Sequence, residues 1–373
     1  MRFMRLLIPG LVIQAVLVGG GYSTGRELVE FFLKDGPATA LPGMAFTALI
    51  FSLGAMISFE LARRYQAFDY RSFCRVYMGP AWVLFEWGYL AILLLVLSVV
   101  ASAGGKLLAE ITGTGELLDS ALFTAAVGVI VFFGSTFIER VISVWSVVFY
   151  MVYGSLFVMI VRHFGDALAS NLAAAPLSIA DGLRDAISYA GYNIAMLPVL
   201  TFVARNLRTR REAFISGALA GPLILLPGFA FLLALSAFYP AVVTAPLPVT
   251  LVLAKVGSPL LTIMARIVIL GALLKTGVGL LHGLNERFAR HFSEKGVAMP
   301  RGARPAISIG LMVLSVYLGA ALGIVELIAR GYRYSSYYFL AVFVLPLATR
   351  GVWMIFRPAT APVVAATATA RSD

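Results

Sequence analysis

The sequence is poor in charged residues, in histidine and in cysteine. Only 13% of its 373 residues are Asp, Glu, Lys or Arg, whereas soluble domains have about a quarter. The single cysteine excludes a disulfide framework, and three scattered histidines argue against a histidine metal cluster. The sequence also lacks a metal-binding acid pair and a glycine-rich phosphate-binding loop. We therefore expect no enzymatic activity, no bound metal and no cofactor.

Apolar segments make up most of the chain. Hydrophobic residues account for 60% of the sequence, and the mean hydropathy is +0.92. A membrane-spanning helix needs about 20 apolar residues, and backbone facing lipid must satisfy its own hydrogen bonds. The pattern predicts an all-α, multi-pass protein of the cell membrane with ten transmembrane helices. The predicted spans are residues 6–33, 40–64, 82–106, 117–135, 141–162, 182–205, 212–238, 258–285, 305–328 and 332–356.

The positive charges are distributed unevenly around these spans. With the N-terminus in the cytoplasm, cytoplasmic segments hold nineteen Lys and Arg residues and outer segments hold seven. This bias follows the positive-inside rule and predicts that both termini are cytoplasmic. It also explains the formal charge of +11 without a nucleic-acid partner. The expected partners are the lipid bilayer and a small-molecule substrate. Near the C-terminus, an interfacial belt is predicted from Tyr332, Tyr334, Tyr337 and Tyr338.

Two of the predicted spans are interrupted. The first contains the run Gly19-Gly20-Gly21-Tyr22-Ser23-Thr24-Gly25, and the sixth contains Ala190-Gly191-Tyr192-Asn193 followed by Pro198. Glycines are poor helix formers, and proline removes a backbone donor. The two breaks are 171 residues apart, from Gly19 to Ala190. A shift of the same length along the sequence also aligns span 2 with span 7 and span 3 with span 8. Five spans are an odd number, so the second copy enters from the opposite side, which predicts a 5+5 inverted repeat with discontinuous helices 1 and 6.

This repeat predicts how the chain is divided. Residues 1–165 form the first five-helix repeat, and residues 181–357 form the second. Between them lies an extracellular linker, 166–180, and the alanine-, threonine- and proline-rich segment 358–373 is predicted to be a disordered cytoplasmic tail. The basic start and the apolar run after it also fit a signal peptide. Because the following segments are spans as well, we interpret residues 6–33 as the first span.

Unwound backbone at membrane depth is tolerated only where it lines a cavity. A half-helix beginning near Thr24 would direct its positive N-terminus at that cavity, where a carboxylate could be held by the glycine amides. Free carbonyls there could hold an ammonium group or a cation. Paired breaks of this kind are typical of the binding site of a secondary transporter. Close helix packing is the alternative explanation for the glycines.

The run from Val18 to Phe32 resembles the first-helix signature of the YkvI-like membrane proteins, and the segment from Tyr189 to Ala195 is similar to their sixth helix. That family is a branch of the amino acid–polyamine–organocation superfamily. The resemblance implies the leucine-transporter-type fold and the transport of an amino acid or related amine by alternating access. It also implies substrate contacts from both broken helices. The residues concerned are Gly19, Gly20, Gly21, Tyr22, Ser23, Ala190, Gly191, Tyr192 and Asn193.

Other residues are candidates for substrate contact, gating or ion coupling. Ser98 and Ser102 share a face of the third span and fit substrate contact and helix packing equally well. Arg26 stands where the branch usually has a neutral amide. It lies at i and i+4 with Glu30, so an ion pair is possible, and we expect it to help form an outer gate. Glu27 points about 100° away and is expected to face the cavity or neighbouring backbone. Both residues could instead only satisfy the unwound backbone.

The eighth span reads Leu274-Lys275-Thr276-Gly277 where sodium-coupled relatives usually offer paired hydroxyls. We expect the Lys275 ammonium to occupy the space of the sodium ion and to reach carbonyls of the first break. Transport would then be sodium-independent or proton-linked, with Thr276 beside the coupling site. The alternative is a fixed charge that pairs with an acid such as Glu27. On an ideal helix Lys275 shares a face with Gly279, His282 and Glu286, while Arg266 lies opposite and is expected to pair or to extend outward.

Two further functions stay open at this point. A metal-ion transporter of the same fold is favoured slightly by Met196, close to Pro198, although the first break offers no Asp or Asn ligand. A non-transporting sensor built on a transporter scaffold would have the same sequence features.

Overall fold

The computed structural model describes residues 2–133, 135–294, 300 and 302–357. These residues form sixteen α-helices joined by short 3-10 and π turns, with no strand in the described ranges. The predicted disordered tail lies outside them. In the first half of the chain the helices are α1 (Arg2–Leu17), α2 (Gly20–Thr24), α3 (Arg26–Leu28), α4 (Pro37–Tyr65), α5 (Tyr70–Met78), α6 (Trp82–Thr112), α7 (Glu116–Phe133) and α8 (Ser135–Ala174). In the second half they are α9 (Ile179–Asn193), α10 (Arg210–Ser236), α11 (Ala241–Thr244), α12 (Pro248–Val256), α13 (Pro259–Glu294), α14 (Ala303–Glu326), α15 (Arg333–Phe339) and α16 (Val352–Phe356).

Several of these helical segments are suited to a bilayer. Six described segments are long and apolar enough to cross it, and a bent pair, Ile179–Met196 with Pro198–Asn206, would be a seventh. The last of the six, Ala303–Phe356, contains both of the predicted final spans. The all-helical membrane architecture is therefore confirmed, whereas the count of ten spans and the inverted repeat stay predictions.

The first predicted span is interrupted, as its glycines indicate. Helix α1 ends at Leu17, and Gly19 is extended with φ −110° and ψ −151°. The helix restarts at Gly20 rather than near Thr24. It is interrupted again at Gly25, whose φ of +78° lies in the left-handed region that favours glycine. The short helix α2 is thus isolated between two breaks.

The sixth predicted span breaks later than its sequence suggests. We expected Ala190, Gly191, Tyr192 and Asn193 to be unwound, but they lie within α9, so this prediction is wrong. The chain bends by 67° at Leu197, between a 3-10 turn and the 3-10 segment Pro198–Asn206. Proline accounts for the bend because it cannot continue the hydrogen-bond ladder.

Gly191 has a packing role instead. A Cβ at this position would lie 2.9 Å from the Ser336 Cβ and 3.1 Å from its Cα, so α9 and α15 approach closely there. The Ser336 hydroxyl has one hydrogen to donate, and both the Ser188 carbonyl of α9 and the Tyr332 carbonyl four residues earlier lie within its reach. The contact with Ser188 joins the two helices.

Helices α4 and α10 form the scaffold behind the broken helices. Gly217 and Gly221 are four residues apart on α10 and face α4. A Cβ at Gly217 would lie 2.4 Å from the Met56 backbone nitrogen, and one at Gly221 would lie 2.0 Å from the Ala48 carbonyl oxygen. This is the small-residue spacing that lets membrane helices approach backbone to backbone. The packing explanation for glycine therefore applies to α10.

Candidate functional site

A cavity of about 560 Å³ lies beside the first break. The end of α1 and the glycines of the break form one wall, and residues of α6, α9 and α13 form the others. The cavity extends along α13 from Lys275 to Arg287, which is about 18 Å of helix. We call its Arg287 end the mouth. The predicted site residues that line the cavity are Gly19, Gly21, Glu27, Tyr192, Asn193, Lys275 and Thr276.

The other predicted residues with described side chains lie outside this lining. Tyr22 lines a second, mostly apolar cavity of about 420 Å³ on the opposite face of the break. Ser23 is buried, and its carbonyl accepts a hydrogen bond from the Tyr153 hydroxyl. Gly20 begins α2, and Ala190 is buried in α9.

Ser98 and Ser102 also lie away from the cavity. The Ser98 hydroxyl donates to the Leu94 carbonyl at 2.9 Å within its own helix. A Cβ at Gly319 would lie 3.2 Å from the Ser98 carbonyl oxygen and 3.3 Å from the Ser102 Cβ. The two serines therefore mark the contact between α6 and α14. Substrate contact by them stays a prediction, and on this helix Tyr89, Ile92, Leu93 and Val96 line the cavity instead.

Lys275 reaches the end of the first half-helix. Its Nζ donates to the Ala15 carbonyl at 3.4 Å, near the C-terminus of α1, where carbonyls lack helical partners. Thr276 donates to the Ala272 carbonyl at 2.9 Å, and a Cβ at Gly19 would lie 2.8 Å from its hydroxyl. The carbonyl that Lys275 contacts thus belongs to the last turn of α1 rather than to the break itself, and the coupling role of Lys275 stays a prediction.

The polar stripe predicted on α13 is only partly inside the cavity. Gly279 lines it, but His282 and Glu286 are exposed, and Glu286 pairs with Arg304 at 2.8 Å. Arg266 pairs with Glu110 at 3.7 Å, as its position on the opposite face suggests.

Charged groups form a cluster around Arg26, the residue that follows the second interruption at Gly25. Arg26 is 3% exposed and forms the predicted ion pair with Glu30, at 2.7 Å. Its guanidinium also donates to the Val243 and Ala245 carbonyls, at 2.8 and 3.2 Å. Arg333 reaches the second oxygen of Glu30 at 3.5 Å. We call this set the Arg26 lock. It joins α3 to α15, and it also joins α3 to α11 and the residue that follows α11.

Sequence reasoning missed two features of the site. Tyr332 was placed in an interfacial belt, which is wrong: it is 1% exposed, lines the cavity and packs on Tyr192 with ring centroids 4.6 Å apart. Tyr334 and Tyr337 are exposed, as a belt requires. The sequence signal for the burial of Tyr332 is its spacing of four residues from Ser336, which places both residues on the helix face that packs against α9.

The mouth is the second missed feature. Arg287 was counted only as a loop charge, but it lies between the rings of Tyr70 and Tyr89, 4.3 and 4.2 Å from their centroids. It also pairs with Glu86 at 3.3 Å. These contacts join α5, α6 and α13 where the cavity ends.

The overall fold resembles those of proteins of known structure. A single-site mutant of the Eremococcus coleocola manganese transporter matches with a TM-score of 0.60 and 14% identity, over 92% of this chain and 79% of that chain. MhsT in complex with L-phenylalanine matches with a TM-score of 0.62 and 19% identity, over 94% of this chain and 97% of that chain. The chain has the leucine-transporter-type fold. At these identities the likeness shows the fold alone. No family model and no curated protein sequence matches the chain.

Proposed function

We propose that this protein is a secondary transporter that moves a small polar organic solute, an amino acid or related amine, across the cell membrane by alternating access. The observation behind the proposal is a cavity that adjoins the backbone of a broken helix and extends along α13 to Arg287. We propose that the cavity opens at the mouth and that the buried Arg26 lock closes the other side, which gives the one-sided access that a transporter needs. The fold shared with MhsT, which was solved with L-phenylalanine, supports this substrate class.

The proposed cycle uses the two ends of the cavity in turn. With both termini in the cytoplasm, as the charge bias predicts, the mouth faces inward and this conformation is inward-facing. Outward opening then requires the Arg26 lock to separate and the mouth to close around Arg287. Rocking of one five-helix repeat against the other would produce this exchange. Membership of the YkvI-like branch and the inverted repeat are part of this proposal.

Ion coupling is proposed to depend on Lys275. Its ammonium lies against a carbonyl of α1 beside the break and next to Thr276, where a cation would be favoured. If the ammonium stays protonated throughout the cycle, transport is independent of sodium. If it releases a proton during the cycle, transport is linked to protons.

A metal-ion transporter is the second candidate, and one of the matching folds belongs to a manganese transporter. Glu27, Asn193 and Met196 all line the cavity, so oxygen and sulfur donors are present there. Against it, no three His, Cys, Asp or Glu side chains converge on a common point within the described residues. Hard cations such as Mn²⁺ prefer several oxygen ligands.

The function is tested by ligand binding followed by transport. We expect at least one amino acid or amine to raise the melting temperature of the purified protein, with or without sodium and at two pH values. The same solute should show counterflow in proteoliposomes. Stabilisation without counterflow would indicate a sensor, and stabilisation by Mn²⁺ alone would indicate a metal-ion transporter.

Disrupting the Arg26 lock is expected to open the closed side. In Arg26→Ala, the Val243 and Ala245 carbonyls lose their donor and Glu30 keeps only the longer contact to Arg333. A hydrogen bond to a charged group contributes about 1.5–3 kcal/mol, so the population that is open on this side should rise about tenfold or more. The readout is maleimide labelling of Val96→Cys, a cavity position, from each side of the membrane.

The chain suits this experiment because its one native cysteine, Cys74, is buried and can be replaced by serine. Arg330→Ala is the matched control, since that arginine forms only an exposed pair with Glu326 within its own helical segment. Equal labelling of Val96→Cys in the Arg26→Ala and Arg330→Ala backgrounds would show that the lock does not hold the cavity closed.

A further inference from the structure

The carboxylate of Glu27 is placed differently from the other acid of the same turn. Glu30 is held by Arg26 and Arg333. Glu27 lines the cavity, and the donor to its Oε2 is the Tyr192 hydroxyl, at 3.0 Å. No described Lys, Arg or His lies within 4.0 Å of Glu27. A charge near the bilayer centre is costly unless it has a partner or a function.

The backbone of the break makes room for this carboxylate. A Cβ at Gly21 would lie 1.6 Å from the Glu27 Oε1 and 2.4 Å from its Cδ. The carboxylate therefore fills the space that a side chain at position 21 would take. Any residue other than glycine would push Glu27 from its position at the cavity wall.

Aromatic rings surround the same part of the cavity. Tyr192 and Tyr332 both line it, and their ring centroids are 4.6 Å apart. Phe31 packs behind Tyr192 at 5.5 Å. An anionic oxygen beside aromatic faces is a combination that binds protonated amines, through a charge-assisted hydrogen bond and cation–π attraction.

We propose that Glu27, with the rings of Tyr192 and Tyr332, binds the protonated amine of the substrate. The inference rests on the proposed transport function and narrows its substrate class to solutes that carry a cationic amine. It assigns the amine to a side-chain carboxylate rather than to the free carbonyls of the break. A solute that lacks the amine would leave Glu27 without its counter-ion and should be excluded.

The test compares amino acids with analogues that lack either the carboxylate or the amine. The purified full-length protein is challenged with the twenty amino acids, the amines that remain after decarboxylation, and the carboxylates that remain after removal of the amine. We expect stabilisation only by members that carry the amine. In Glu27→Gln, which keeps the size of the side chain and its contact with Tyr192, their affinity should fall about 10- to 150-fold.

Substitutions at two further positions test the geometry of the subsite. Gly21→Ala keeps the carboxylate but displaces it, so amine binding should fall as it does in Glu27→Gln. Tyr332→Leu should weaken binding about two- to fivefold, while Tyr332→Phe, which keeps the ring, should not. Glu286→Gln, on the exposed part of α13, is the control for removal of an acid.

The outcomes distinguish this inference from the function on which it rests. Full amine affinity in Glu27→Gln, equal binding of the amine-free carboxylates, or no binding by any amine would overturn the subsite. The transporter function is judged separately, by labelling of Val96→Cys. Access from one side only, whatever the ligand and whatever the state of the Arg26 lock, would overturn the function.

Discussion

Replacing Lys275 with alanine is expected to lower the rate of transport in sodium-free buffer by about tenfold or more. The Lys275 ammonium donates to the Ala15 carbonyl at the end of α1, next to the break. Its removal leaves the negative end of that half-helix without a cation. A hydrogen bond that involves a charged group contributes about 1.5–3 kcal/mol, and each 1.4 kcal/mol is about a factor of ten. The measurement is uptake into proteoliposomes with and without sodium chloride.

The ion dependence of the same variant is the sharper readout. If the ammonium stands in for a sodium ion, Lys275→Ala opens a site bounded by the Ala15 carbonyl and the Thr276 hydroxyl. Sodium should then restore part of the lost transport, whereas we expect transport by the wild-type protein to be unaffected by sodium. Lys255→Ala, which removes an exposed lysine in α12, is the control. Normal transport by Lys275→Ala with unchanged ion dependence would remove Lys275 from the coupling mechanism.

The first break was predictable because its cause is local. Consecutive glycines destabilise a helix wherever they occur, and α1 does stop at Leu17. The restart at Gly20 and the second break at Gly25 depend on backbone conformations that the sequence does not specify. The Arg26–Glu30 pair was also predictable, since it needs only the i, i+4 spacing of one helical turn.

The sixth break could not be placed correctly because two causes compete there. The pattern around Gly191 predicts weak helix, yet that glycine is used for close contact with Ser336 of α15. The bend falls at Leu197, where Pro198 limits the hydrogen bonding. Distinguishing a packing glycine from a breaking glycine requires knowledge of the neighbouring helix, which the sequence alone does not give.

Among the site residues, too, those with a local sequence signal could be predicted, and those that depend on tertiary packing could not. Glu27 and Lys275 could be singled out because a charge inside an apolar span needs a role, and both line the cavity. Tyr332 and Arg287 lie in sequence surroundings typical of an interface or a loop, and only tertiary packing brings them to the cavity wall. Their partners, Tyr192 for the first and Tyr70, Tyr89 and Glu86 for the second, come from distant segments.

Three charged residues have different roles in the proposed transporter: Arg26 and Glu27 of the first broken helix, and Lys275 of α13. Arg26 is buried in the Arg26 lock, Glu27 lines the cavity, and Lys275 lies against the end of α1. Adjacent residues can serve different ends of the cavity because successive side chains of a helix point about 100° apart. For this reason a substitution at position 26 should change access, whereas one at position 27 should change ligand selectivity.

Replacing Gly221 with alanine is expected to destabilise the fold by about 1–3 kcal/mol or more. The added Cβ would lie 2.0 Å from the Ala48 carbonyl oxygen and 2.4 Å from the Ser52 hydroxyl oxygen. A rotamer change could move the hydroxyl, but the carbonyl is backbone, so α4 and α10 would have to separate. The separation would also weaken the hydrogen bond from Ser52 to the Ala218 carbonyl, now 2.8 Å. Thermal unfolding of the purified protein in detergent measures the effect.

Gly310→Ala is the matched control, because this glycine of α14 has no atom within 4 Å of the position of an added Cβ. Alanine is the better helix former by about 1 kcal/mol, so without a clash the substitution should leave the melting temperature unchanged or raise it. Both variants make the same chemical change within a membrane-spanning helix, and they differ only in what the methyl group meets. A melting temperature of Gly221→Ala equal to that of Gly310→Ala would mean that α4 and α10 do not pack backbone to backbone, and the scaffold behind the broken helices would have to be reconsidered.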